Sequence, residues 1–235
     1  MLKKHLSKNT KIQCKLLLIK WKDWRKSYRF AKRHNNDFEN YPYSISLSQH
    51  FIPNEYLEAK KHNLQLAISF LQNIEIQPKE VFSFWKLVGQ PTLQRGFVKG
   101  RNLVQNQLTA SEGGGLCQLA GILYHAALLS GMTIIERYAH SQDIYTNETR
   151  FSPLGADAAV VFGYKDFRFQ NPFDFPIVIH FELEEKLTIS IKSPKEITPQ
   201  QLEFKTTNLG FYRKATTFVN GYKFKEDVYQ IKAIS

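Results

Sequence analysis

Three consecutive glycines, Gly113-Gly114-Gly115, run straight into Leu116-Cys117-Gln118 and then into an apolar helix pattern from Leu119 to Ser130. This junction constrains the chain more than any other. A glycine run permits a sharp change of backbone direction, and the thiol of Cys117 then falls on the first turn of the helix that follows. There it sits among N–H groups without intrahelical acceptors, at the positive end of the helix dipole, which favours thiolate over thiol. The same N–H groups would receive the oxyanion of a tetrahedral intermediate. Gly113, Gly114 and Gly115 leave room for a substrate to reach the sulfur, and Gln118 either adds a side-chain donor or caps the helix. A cysteine on an amphipathic helix is also commonly a small buried hydrophobe, so a packing role for Cys117 stays open.

After the helix, with Ser130-Gly131 as its expected C-cap, comes a strand-like run from Thr133 to Tyr138 and then His140. Cys117 to Ser130 rises ~20 Å as helix, and Thr133 to Tyr138 spans ~20 Å as strand. A strand returning along the helix therefore brings His140 back beside Cys117, as a base for the thiol. His125, eight residues along the helix and ~12 Å from Cys117, is too far to act directly. A thiol–imidazole pair wants a third group to hold the tautomer. Asp157, after Pro153-Leu154-Gly155, is preferred; Asp143 and Asn171 are the alternatives, and any of the three fits a turn equally well. There is no CxxC, no HExxH, no Walker loop and no dinucleotide fingerprint, so neither a metal nor a cofactor is expected.

The charge is unevenly placed. Twelve of the 32 Lys and Arg, but only one of the 21 acids, Asp23, lie in residues 1–34, so the basic excess of +11 resides there and the rest of the chain is neutral. Residues 11–33 read as an amphipathic helix with Leu17, Trp21, Trp24, Tyr28 and Ala31 along one line. Lys11, Lys15, Lys22, Lys26, Arg29 and Arg33 lie on the far side, and Ile12 and Ile19 fall among the bases. Such a helix either meets an anionic membrane surface or docks its tryptophan face on the domain. Nucleic acid is not the expected partner, because the body carries no basic excess. No secretory signal and no spanning segment is visible, which predicts a cytoplasmic protein, peripheral at the inner membrane face. With Cys14 and Cys117 as the only cysteines, a disulfide scaffold is not expected.

Residues 1–40 are expected to form the basic helix and a linker, and 41–235 a single α+β domain. Within it, helices come first, Asn54 to Asn73 with Asn54 as cap and then the Cys117 helix, followed by a mainly antiparallel sheet. Strands are expected at Val81–Trp85, Ala158–Tyr164, Phe167–Asn171, Ile177–Leu183 and Leu187–Lys192, with a hairpin at Asn220-Gly221.

Several elements taken in order resemble the VanW family: Phe82-Ser-Phe-Trp85 with Val88-Gly89, Arg95-Gly96, Gly113-Gly-Gly-Leu-Cys117-Gln118, Glu136-Arg137 with His140, Asp157-Ala158, and Phe169-Gln-Asn171 before Pro176-Ile177. The resemblance covers roughly residues 50 to 195, in a family named after a protein encoded with B-type vancomycin resistance genes. Some exported members resemble peptidoglycan transpeptidases that form L,D links through the cysteine of this motif. Carried over, this implies Cys117 as the acyl-accepting nucleophile, His140 as base and Asp157 as its orienter. It also puts Arg137 with Gly113, Gly114, Gly115 and Gln118 on the substrate side. The implied activity is a cysteine-dependent acyl transfer or amide hydrolysis on cell-wall stem peptides or their lipid-linked precursors. The alternative is a non-catalytic accessory or peptide-binding module at the inner membrane face.

Overall fold

The computed structural model describes residues 7–33, 41–104, 107–143, 150 and 152–231. Helix α1 spans Lys8–Arg25 and is followed by the two-residue strand β1 (Lys32–Arg33), β2 (Tyr43–His50) and α2 (Leu57–Leu71). Next come β3 (Ile74–Ile76), β4 (Val81–Ser83), the short helix α3 (Phe84–Val88), and the hairpin β5 (Lys99–Val104) and β6 (Gln107–Glu112). The glycine run then leads into α4 (Leu116–Leu129). The remaining strands are β7 (Thr133–Glu136), β8 (Gln142–Asp143), β9 (Arg168–Gln170), β10 (Ile177–Leu183), β11 (Lys186–Ser193), β12 (Leu202–Leu209), β13 (Tyr212–Val219) and β14 (Tyr222–Ile231). This is the expected α+β class.

Helix α4 is the centre of the molecule. Eleven of its residues are buried, including Leu119, Ile122, Leu123 and Tyr124, so it is covered on nearly every side. It packs on β2 and β11 of a five-stranded antiparallel sheet ordered β1-β3-β10-β11-β2. Leu187, Ile189 and Ile191 of β11, Ile177 and Ile179 of β10, and Leu64 and Leu71 of α2 join it in one core. Each such side chain contributes about 1.5–3 kcal/mol on removal from water. A three-stranded sheet, β4-β9-β7, adds the stacked rings of Phe82 and Phe169 at 4.9 Å. The last three long strands form a separate sheet, β12-β13-β14-β8, with its own small cluster of Leu154, Ala215 and Tyr229. The Asn220-Gly221 hairpin is present, with both residues at positive φ, +52° and +80°.

Five expectations need correction. Helix α1 ends at Arg25 rather than continuing to Arg33, because Ser27 sits at φ +51° and the next residues become extended. Phe30 bridges Val81, and β1 pairs with β3. The helix rests on the body through Ile12, Leu16, Ile19 and Asp23, so it does not dock its tryptophan face; Trp21 and Trp24 are 52% and 76% exposed. Helix α2 starts at Leu57, and Asn54 instead forms a tight turn in which its Oδ1 accepts from the Tyr56 N–H at 2.9 Å. The run Val81–Trp85 changes from strand to helix at Ser83, whose Oγ accepts from the Lys86 N–H at 3.3 Å as a cap. Finally, residues 158–164 are not a strand: they carry only the isolated bridge between Val161 and Lys165.

Candidate active site

The chain enters α4 through Gly115 at φ +99°, with Gly113 at +73°, two left-handed positions that suit glycine. Gly114 is required for a different reason. A Cβ there would lie 2.3 Å from the carbonyl carbon of Gly100, so the loop is pressed backbone to backbone against β5. Asn63 of α2 clamps this approach, donating to the carbonyls of Val98 and Gly114 at 3.0 Å each. Gly113 and Gly114 are buried, so these two glycines serve close packing and the turn rather than an open path to the sulfur. We expect Gly114→Ala to lower folding stability by about 3 kcal/mol, read as a reduced urea midpoint; an unchanged midpoint would show slack between the loop and β5.

Cys117 lies on the first turn of α4 and is half-buried. Leu116 and Gln118 turn their N–H groups back to the carbonyls of Gly113 and Gly115 at 3.3 and 2.9 Å. The Cys117 N–H has no backbone acceptor among the described residues. Its Sγ rests 3.7 Å from the carbonyl oxygen of Val160, with the His140 imidazole beside it. Burial pushes the Cys117 thiol up, but the hydrogen bond and charge of His140 outweigh that effect and hold it below its ordinary value.

The strand β7 runs back along α4 and delivers His140 to the helix start, as the length comparison anticipated. His140 Nδ1 lies 2.6 Å from Asp157 Oδ2, which also accepts from the His140 backbone N–H at 2.8 Å. With Nδ1 occupied, Nε2 is the ring nitrogen left for the thiol. Burial opposes the charge on His140, yet Asp157 and Cys117 together push its pKa up to about 10. Asp157 in turn is held well below the usual carboxylate range: burial opposes its charge, and the hydrogen bond from His140 and the Arg137 guanidinium overcome it. The three groups therefore favour a thiolate–imidazolium pair braced by a carboxylate. The side chains of His140 and Asp157 are 27% and 21% exposed, which leaves the pair open to an incoming molecule.

The two alternatives to Asp157 are occupied elsewhere. Asp143 pairs with Arg150 at 2.8 Å and Arg213 at 2.6 Å. Asn171 is buried in a turn, donating to the carbonyls of Ile76 and Phe175 at 2.9 and 2.8 Å. His125 stacks edge-on against Phe204 at 5.4 Å, tying α4 to the last sheet.

Arg137, expected among the substrate-binding residues, is instead wholly enclosed, with no side-chain exposure. It pairs with Asp157 at 2.9 Å and with Asp227, donates to the carbonyls of Asp157 and Gly155, and lies over the Tyr124 ring at 4.7 Å. It buttresses the carboxylate from behind. Gln118 is also buried; its Oε1 accepts from Lys60 Nζ at 3.2 Å, while its Nε2 has no partner among the described residues.

Several residues escaped the sequence reading. Tyr229 on β14 donates to Asp157 Oδ1 at 2.6 Å, and Asp227 on the same strand holds Arg137. Nothing in the sequence marks them, since they reach the site on β14, far along the chain from Cys117. The Ser83-Phe84-Trp85 element is legible as a motif but not as a brace. Its hydroxyl and Trp85 N–H bond Asp166 at 2.6 and 3.0 Å, and the Trp85 indole donates to Lys165 at 2.7 Å. That secures the loop carrying Val160. Among the described residues, no group of three or more His, Cys, Asp and Glu has the arrangement to hold a metal ion.

A family model described as VanW like protein matches residues 59–192. The uncharacterized protein YoaR of Bacillus subtilis is 34% identical over 122 residues, 52% of this chain and 39% of that protein. The vancomycin B-type resistance protein VanW of Enterococcus faecalis is 32% identical over 134 residues, 57% of this chain and 49% of that protein. The aligned part thus spans half or less of the length of these curated relatives. No solved structure gives a significant match. The matched segment holds Cys117, His140 and Asp157, whereas Asp227 and Tyr229 lie beyond its end. With more than half of its length matched, and the cysteine, histidine and aspartate of its site inside the match, the chain belongs to the VanW family.

Proposed function

We propose that the chain is a cysteine-dependent acyltransferase, similar to L,D-transpeptidases, that acts on peptidoglycan stem peptides or their lipid-linked precursors. The observation that carries this reading is the 2.6 Å contact from Asp157 to His140, with His140 beside a cysteine on the first turn of a helix. The cell-wall context rests on the printed name of the Enterococcus faecalis relative, a vancomycin resistance protein.

In the first half-reaction the Cys117 thiolate attacks a carbonyl carbon of the donor peptide, and the C=O pair moves onto oxygen beside the Cys117 N–H. Imidazolium His140 gives its proton to the departing nitrogen as the C–N bond breaks, leaving a thioester and a free terminal residue. Neutral His140 then takes a proton from an acceptor amine as that nitrogen attacks the thioester. The C–S bond breaks, a new amide forms, and the thiolate–imidazolium pair returns. Water in place of the amine gives hydrolysis, the amidase outcome. Asp157 keeps its charge throughout and fixes the ring of His140.

The test is mass spectrometry of the Cys14→Ser protein incubated with a stem tetrapeptide or pentapeptide. The expected result is an adduct on Cys117 equal to the donor peptide minus its terminal residue, absent in Cys117→Ala. Lack of any adduct, with the donor left intact under acceptor amines at high concentration, would sink the reading.

A further inference from the structure

We propose that α1 is a surface anchor for an anionic lipid bilayer, inserting the tryptophan face that the fold turns outward. Ile12, Leu16, Ile19 and Asp23, which face the body, lie within an arc of about 60° around the helix. Leu17, Trp21 and Trp24 lie within another arc of about 60°, centred roughly 140° away. These last three are 64%, 52% and 76% exposed, and Leu18 beside them is 58% exposed. Four large apolar side chains on one helix, turned away from the core that could have covered them, form a patch that calls for an occupant.

Charge decides which occupant. Asp23 is the sole acid in residues 1–34, and the fold draws it inward, where it pairs with Arg168 at 2.7 Å and Lys86 at 3.4 Å. The outward side of the helix therefore carries no acid: Lys20 and Arg25 flank Leu17, Trp21 and Trp24, and Lys11, Lys22 and Lys26 are exposed further round the helix. Arg25 lies over the Trp21 ring at 4.9 Å. Tryptophan at headgroup depth with lysines reaching phosphates is the chemistry of an anionic lipid surface. A second copy of the chain would bring ten or so like charges face to face, which opposes self-association. No helix among the described residues is long and apolar enough to cross a membrane, so this is attachment at the surface.

Attachment also sets where the candidate site lies. Ile12 abuts Gly163 and Lys15 sits 3.8 Å over the Tyr164 ring, in the loop just after Val160, whose carbonyl touches Cys117. An anchored α1 thus holds the thiol near the lipid surface. The anchor itself does not depend on acyl transfer, because Trp21 and Trp24 lie outside the site.

The experiment is co-sedimentation of the full chain with phosphatidylcholine vesicles, with and without phosphatidylglycerol, beside sedimentation velocity without lipid. The expected result is binding to the phosphatidylglycerol vesicles only, with a blue shift of tryptophan fluorescence. A Trp21→Ser, Trp24→Ser double variant should bind at least about tenfold less, and raised salt should weaken binding similarly. Its melting temperature should match the parent, since both rings point to solvent. The proposal is overturned if the double variant binds as well as the parent, if neither vesicle binds, or if the parent dimerises through this face and the double variant does not.

Discussion

Alkylation of Cys117 by iodoacetamide, followed in a Cys14→Ser background, should show a midpoint below the ~8.5 of a free thiol, and His140→Ala should carry it above that value. The sign follows from what remains once the imidazole is gone. Burial and the negative charge of Asp157 both disfavour the thiolate, and the Val160 contact is the one favourable influence left. The thiolate fraction at neutral pH should then fall by on the order of tenfold or more, with the alkylation rate. Since His140 is pushed up to about 10, the parent should hold a flat rate through neutral pH and inflect again near that value, where the imidazolium loses its proton. A midpoint that ignores His140→Ala would mean the two side chains are neighbours without being a chemical pair.

The largest effect on stability should come from Arg137→Met. The guanidinium has no exposure and neutralises Asp157 and Asp227 together, so its loss leaves two largely buried carboxylates short of a cation, a cost of about 3–5 kcal/mol. The pH dependence distinguishes this cause from simple loss of packing. A carboxyl held below its ordinary range, as Asp157 is, contributes stability that is present above its unfolded value near 3.9 and fades as pH falls through its folded value. The deficit of the variant should therefore be full at pH 7 and should narrow below about pH 4, as the parent loses what Arg137 supplied. Chemical denaturation at pH 7 and pH 3 reads this directly. A deficit of equal size at both would assign the loss to the packing of Arg137 on Tyr124 instead.

These two outcomes probe different shells of the same site, and the two shells differ in how visible they are along the chain. Cys117 and His140 belong to the local grammar: a glycine-rich entry, an apolar helix of known rise, a strand of matching length that returns. The hairpin at Asn220-Gly221 is equally local, since its positive φ angles select those residues. Periodicity and turn chemistry act over a few residues, so they can be read without the fold. The end of α1 was not readable in this way, because strand pairing at Phe30 and Lys32 overrode a helical pattern that continued on paper.

Pairing across long separations belongs to the tertiary structure. Asp157, Asp143 and Asn171 are interchangeable as turn residues, and only the course of the chain past α4 puts Asp157 against His140 while Arg150 and Arg213 take Asp143. Arg137 reads as a substrate-facing cation until Asp227 and Tyr229 arrive from β14 and enclose it and its carboxylate. The orientation of α1 is likewise a decision of the fold: its apolar line and its docked line are different faces, and Arg168 and Lys86 select the second by capturing Asp23. What the residues alone determined was a cysteine on a helix start with a histidine in reach, because backbone geometry places both. What only the folded chain decided was which carboxylate charges that histidine, what holds the carboxylate, and which face of the first helix is left to the solvent, because each depends on groups brought together from far along the chain.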